Sequence, residues 1–259
     1  MPGDGLPPYA DGMKWACLGP SFDRGEIAAW LSERGLRFRT VPREELPAVV
    51  AGLLAEEKVV GLLQGPMEFG PRALDGRSIL GDPRSPKMQS VMNPKIELRE
   101  SFRPLAPSAL REDVAEWFEL DGDSPYMLLT ADVRKALRRQ MTAEESALWG
   151  IAKLNVPRSS IPAVTHVDDS ARLQTVRREA NPLYHAILSA FRARTGCPVV
   201  VNTSFNVRGE PIVCTPEDAW RCFMRTSMDT LVLEDHVLLR EEQPELEETE
   251  DWKAGLTLD

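Results

Sequence analysis

Residues 181–206 read NPLYHAILSAFRARTGCPVVVNTSFN, and this stretch sets the class of fold. Asn181 is a good helix N-cap, and Pro182 suits the first helical position, where no N–H is needed. Leu183, Ile187, Ala190 and Phe191 recur at helical spacing. Gly196 follows as the left-handed residue that ends such a helix. Pro198 then opens a β-branched run over 198–202 that suits a central strand. A helix over 181–194 feeding a buried strand is the unit of a layered α/β domain.

The alternation continues outward. Toward the N-terminus, residues 24–34 predict a helix with Ile27, Trp30 and Leu31 on one face. A short strand over 38–41 follows, then a helix over 44–57 with Pro47 in its first turn. A buried strand over 58–64 ends at Gly65-Pro66. Toward the C-terminus, Thr215-Pro216 opens a helix through Met224, supported by Asp218. Strands follow over 230–233 and 236–239. Between these blocks the pattern predicts a strand over 103–110, a helix over 111–118 and a strand over 126–131. Residues 133–149 read as helical or as carrying a helical excursion, and 157–160 as a surface loop. Residues 163–167 and 171–176 read as a hairpin across Asp168-Asp169-Ser170. The stretch 65–111 is punctuated by glycine and proline, so much of it reads as loop. There is no internal repeat.

A chain of 259 residues can bury a substantial core. With 42% hydrophobic and 27% charged residues, wholesale disorder is excluded. The formal net charge is −9, but seven acids and no bases fall in 241–251, which leaves −2 for the rest. An arm over 1–17, a domain over 18–240 and an acidic tail over 241–259 are therefore expected. A broadly basic nucleic-acid binder is disfavoured. The longest uncharged run has 13 residues, 195–207, too few to cross a membrane. The N-terminus has no apolar core of a signal peptide, so the cytoplasm is the expected location. Cys17, Cys197, Cys214 and Cys222 form no CxxC pair and are expected to be reduced.

No GxGxxG, GxxxxGK[ST] or GxSxG is present. His166, His185 and His236 stand too far apart for a metal box, so no metal ligands are assigned.

Four blocks could carry chemistry. In 68–78 (EFGPRALDGRS), Gly70-Pro71 makes a turn, and Arg72 is expected to start a short helical segment. Arg72 and Arg77 offer planar forks that match phosphate or carboxylate oxygens. The plainer alternative is a surface turn with both arginines satisfied by Glu68 and Asp75. In 97–104 (ELRESFRP), Arg99 and Arg103 are four apart, yet Pro104 discourages helix at 103. The alternative is a charged loop with local ion pairs. In 201–211 (VNTSFNVRGEP), polar side chains end a buried strand, where α/β folds place ligands. Ser204 and Asn206 can donate to a phosphate or a ribose; the alternative is a tight turn. In 165–174 (THVDDSARLQ), His166 and Asp168 share one side of a strand, and Arg172 and Gln174 could face one ligand. A lone histidine is more often a satisfied structural residue than a catalyst.

Taken together and in this order, the blocks resemble the C-terminal domain of the carbamoyltransferase family that modifies nodulation factors and antibiotics. They stand here as QGPMEFGPRALDGRSILGDPR (64–84), ELRESFRPLAP (97–107), IPAVTHVDDSARLQTV (161–176) and VNTSFNVRGEPIV (201–213). The resemblance runs from about Leu18 to Leu239. It implies a YrdC-like fold, a twisted mixed α/β sheet flanked by helices with a deep anion-binding cleft. It implies that ATP, with Mg²⁺, and carbamoyl phosphate bind there and give a carbamoyl-adenylate. A larger Kae1-like domain carrying a histidine-bound metal then passes the carbamoyl group to a hydroxyl. That domain is expected on a separate chain or as the rest of a longer one, with no nucleic acid or membrane partner. By the same resemblance Arg72, Arg99 and Arg103 are catalytic. Arg77, Arg172, Ser204, Asn206 and Arg208 bind the nucleotide, and Phe69, His166 and Asn202 the substrate. Three departures stand out: Pro66 for a usual Arg, Asp75 for a usual Gly and Glu97 for a usual Lys. They remove positive charge from an anion site and motivate a second expectation, a degenerate subunit that binds a partner or ligand without catalysis.

Overall fold

A computed structural model describes residues 11–93 and 103–246. Its centre is a nine-stranded mixed sheet. In chain order the strands are β1 (Arg39–Thr40), β2 (Val60–Leu63), β3 (Arg77–Gly81), β4 (Pro107–Leu110), β5 (Leu129–Asp132), β6 (Ser170–Val176), β7 (Val199–Ser204), β8 (Thr230–Leu233) and β9 (His236–Leu239). They lie side by side in the order β1-β9-β8-β2-β3-β7-β4-β6-β5. β2 runs parallel to β8 and β4 parallel to β6, and the other pairings are antiparallel. β2, β3, β4 and β8 are buried along their whole length, as strands covered on both faces must be.

The helices are α1 (Arg24–Glu33), α2 (Leu46–Ala55), α3 (Met88–Met92), α4 (Val114–Trp117), α5 (Ala143–Ala147), α6 (Gly150–Leu154), α7 (Pro182–Thr195) and α8 (Pro216–Arg225). α7 begins and ends as its sequence dictates. The Asn181 side chain accepts from the Tyr184 N–H, Pro182 opens the first turn, and Gly196 closes the helix at φ 77°. α2 buries Leu46, Val50, Ala51 and Leu54, a stripe at helical spacing, and packs on α7. α8 starts with a reciprocal cap between Thr215 and Asp218 and packs on β8 and β2. The mixed α/β class is the one the sequence points to.

Three local expectations are corrected, and two are resolved. Much of 65–111 is loop among the described residues, but Arg77–Gly81 within it is a central strand that the sequence did not announce. Residues 163–167 do not pair with 171–176. Pro162 instead opens a 3₁₀ turn, Pro162–Val164, and β6 takes β4 and β5 as its partners. Of the two readings of 133–149, the helical excursion holds: the stretch forms a 3₁₀ turn, Lys135–Leu137, and the short α5. The loop 157–160 is not superficial: Arg158 and Ser159 are buried, with the guanidinium on the carbonyls of Lys153, Leu154 and Val156. Arg72 lies in a bend, outside any helix.

The described parts of the expected arm and tail are docked. Asp11 accepts from the Tyr126 hydroxyl, and Cys17 bridges to Glu68. Gln243 donates to the Arg37 carbonyl at 2.8 Å, and Leu246 packs on the core. Among the described residues, no helix is long and apolar enough to cross a membrane.

Candidate functional site

The site begins where β7 leaves the sheet. Val199, Val200, Val201 and Asn202 are buried, and Thr203 and Ser204 are half-buried at the strand's end. The chain then turns back on itself. The Asn206 amide donates to the carbonyls of Val207 (2.9 Å) and Glu210 (3.0 Å), and the Val213 N–H returns to the Phe205 carbonyl at 2.9 Å. Gly209, at φ 78°, takes the one left-handed position inside this turn.

This turn walls a cleft of about 520 Å³. The other walls come from Met67 and residues 70–73, from Arg103, Pro104 and Ala106, and from Met127 and Arg172. Four arginines line it, Arg72, Arg103, Arg172 and Arg208, against one acid, Glu210. Glu210 is itself held by Arg225 at 3.0 Å. A polar recess with this excess of guanidinium groups attracts anions, phosphates above all.

Seven of the eleven residues singled out by sequence thus meet at one cavity: Arg72, Arg103, Arg172, Asn202, Ser204, Asn206 and Arg208. Four do not. Arg77 is fully buried and turned away. Its guanidinium donates to the carbonyls of Pro20, Gln64, Gly65, Gly76 and Cys214, at 2.8–3.3 Å. It is a structural knot, and neither Glu68 nor Asp75 accepts from its guanidinium as the turn reading supposed. His166 lies outside the cleft lining with its Nδ1 3.3 Å from the Ser170 hydroxyl, and burial lowers its pKa. Phe69 is 78% exposed and also outside the lining. Arg99 and Glu97 lie outside the described residues.

The floor of the cleft holds a polar network that spacing alone does not announce. Asn202 donates to the Ser108 hydroxyl (3.0 Å) and to Gln174 Oε1 (2.8 Å), and Gln174 donates to Asp75 Oδ1 (3.2 Å). Ser108 carried no signal in the sequence beyond its place in an expected strand. Asp75, singled out as an added negative charge, is not part of the cleft lining; it lies behind Gln174. Its φ of 75° explains why glycine suits the position. Burial, reinforced by the nearby Glu68, pushes its carboxyl up to about 7. Burial likewise pushes the Cys17 thiol up to about 12, so it is no nucleophile.

Comparison with known proteins places this geometry in a family. The family model described as "Carbamoyltransferase C-terminus" matches residues 51–240, and the chain belongs to that family. A Synechocystis protein, sll1178, of uncharacterised function, is 57% identical over 96% of this chain and 41% of its own length. The nodulation protein NolO of Bradyrhizobium diazoefficiens is 42% identical over 88% of this chain and 37% of its own. The 3'-hydroxymethylcephem-O-carbamoyltransferase of Amycolatopsis lactamdurans is 40% identical over 63% of this chain and 27% of its own. The chain thus spans well under half the length of these curated relatives. Full-length HypF in its phosphate- and nucleotide-bound form superposes with a TM-score of 0.48 at 14% identity, covering 81% of this chain and 23% of that one.

Proposed function

We propose that this chain is the adenylate-forming part of an O-carbamoyltransferase. It binds ATP with Mg²⁺, together with carbamoyl phosphate, in the cleft at the end of β7. The observation that carries the reading is the convergence of Arg72, Arg103, Arg172 and Arg208 with Asn202, Ser204 and Asn206 on one cavity. Two substrates rich in phosphate oxygens require such a set of forks.

The chemistry needs little covalent help from the protein. Water cleaves carbamoyl phosphate to carbamate and phosphate. A carbamate oxygen then attacks the α-phosphorus of ATP, the α–β bridging bond breaks, and pyrophosphate leaves with that electron pair. Positioning and neutralisation of charge supply the acceleration. The carbamoyl group is then passed to a hydroxyl by a separate Kae1-like domain, releasing AMP.

The test is carbamoyl-phosphate-dependent exchange of labelled pyrophosphate into ATP by the purified chain with Mg²⁺, run alone and with the larger domain of a relative. Exchange is expected. Arg103→Ala and Arg172→Ala are each expected to lower it roughly tenfold or more, since a charge-assisted hydrogen bond contributes about 1.5–3 kcal/mol. A folded chain that exchanges nothing under either condition would leave the degenerate binding subunit, motivated by Glu97 and Asp75, as the better reading.

A further inference from the structure

Behind the cleft, a chain of buried amides ends on a carboxylate, and that end fixes the direction of every link. A carboxylate only accepts hydrogen bonds when ionised. Gln174 therefore turns its Nε2 to Asp75 Oδ1, 3.2 Å away, and its Oε1 toward Asn202. The Ser108 hydroxyl donates to that same Oε1 at 2.5 Å. Asn202 must then turn its Nδ2 inward, to Oε1 at 2.8 Å and to the Ser108 hydroxyl at 3.0 Å. Its own oxygen is left over. Asn202 is fully buried, lines the cleft, and its Oδ1 has no partner among the described residues. An open buried acceptor is costly unless a ligand supplies a donor.

We infer that Asp75 is a positioning residue: through Gln174 it holds the Asn202 oxygen ready to accept from an N–H of the ligand. Resting on the function proposed above, that donor is the NH₂ of the carbamoyl group. Asp75 does this from outside the cleft lining, so its charge does not oppose the phosphates directly. The groups around it are Glu68 from the loop after β2, the Cys17 thiol, the Tyr184 hydroxyl and Asn181 at the start of α7, and Gln174 on β6. Burial among them, with Glu68 adding to it, raises the carboxyl to about 7, so the relay sits where small pH changes alter its charge.

Two measurements on the whole chain decide this. The first needs no ligand. In ¹⁵N-labelled protein the side-chain NH₂ resonances of Gln174 and Asn202 are followed from pH 5 to 9. Both are expected to report one titration near pH 7, absent in Asp75→Asn and Asp75→Gly. Asparagine and glycine both accept the left-handed backbone here, so these variants keep the fold. An Asn202 amide indifferent to the titration overturns the inference. The second is the exchange assay. Asp75→Gly is expected to raise the KM for carbamoyl phosphate about tenfold, the worth of one hydrogen bond, with the KM for ATP unchanged. Asp75→Asn keeps an acceptor oxygen for Gln174 and is expected to restore the lower KM. Equal changes in both KM values, or none, overturn the inference. Coupled amides in a wild-type chain that never exchanges would reject the carbamoyl reading and leave the positioning role standing.

Discussion

A single carboxyl can govern how the molecule answers to pH, and Asp75 is placed to do so. Its carboxyl sits at about 7 in the fold against an ordinary 3.8, so the folded state holds the proton more tightly than the unfolded chain. The contribution of this carboxyl to stability is therefore fully present below about pH 4, is lost as pH rises from there to about 7, and does not change beyond. The melting temperature of the wild type is expected to fall across that window relative to Asp75→Asn, which carries no titrating group at this position. Parallel curves for the two proteins would contradict the buried carboxyl. The sequence showed that an acid occupies position 75 but not which way it faces. Direction came from the φ of 75° and from Gln174, which pairs with Asp75 from β6, far along the chain. Arg77 misled for the same reason. A guanidinium beside Gly-Pro turns suits phosphate, yet here five carbonyls claim it.

At the scale of elements, what could be read locally was read well. α7, α8 and β7 carry their own start and stop signals, and the structure places them within a residue or two of expectation. β3 could not be read this way. Arg77-Ser78 is a polar opening with no strand propensity, and its burial depends on carbonyls contributed by four separate stretches. The hairpin over 163–176 failed because an alternating pattern says nothing about partners; β6 pairs with β4 and β5 instead. Elements that are not paired also meet at close quarters. A Cβ on Gly61 of β2 would stand 2.8 Å from the Phe205 ring, which is buried between Ser204 and Asn206 in sequence. Gly61→Ala is expected to destabilise the chain by about 1–3 kcal/mol in urea titrations, as overpacking does. It is also expected to raise the KM for ATP, because Phe205 cannot yield without shifting the turn that walls the cleft.

For the molecule as a whole, formal charge is a poor guide to the site. The chain is acidic at −9, yet its cleft presents four arginines to one glutamate. Seven of the acids fall in the 241–251 run. The four blocks that pointed to the family are spread over residues 64–213, and the fold brings residues from all four to one cavity. Their convergence was legible only through the resemblance, since neither composition nor periodicity carries the order β3-β7-β4-β6.

The Arg77 guanidinium ties Pro20, Gln64, Gly65, Gly76 and Cys214 at one point, far apart in sequence and without a covalent bond. Segments joined in this way cannot loosen one at a time. Their amide protons should exchange with deuterium at a common rate, as one cooperative unit. Replacing Arg77 by lysine, a point charge with three donors where a planar fork held five, should split that unit into separately opening pieces.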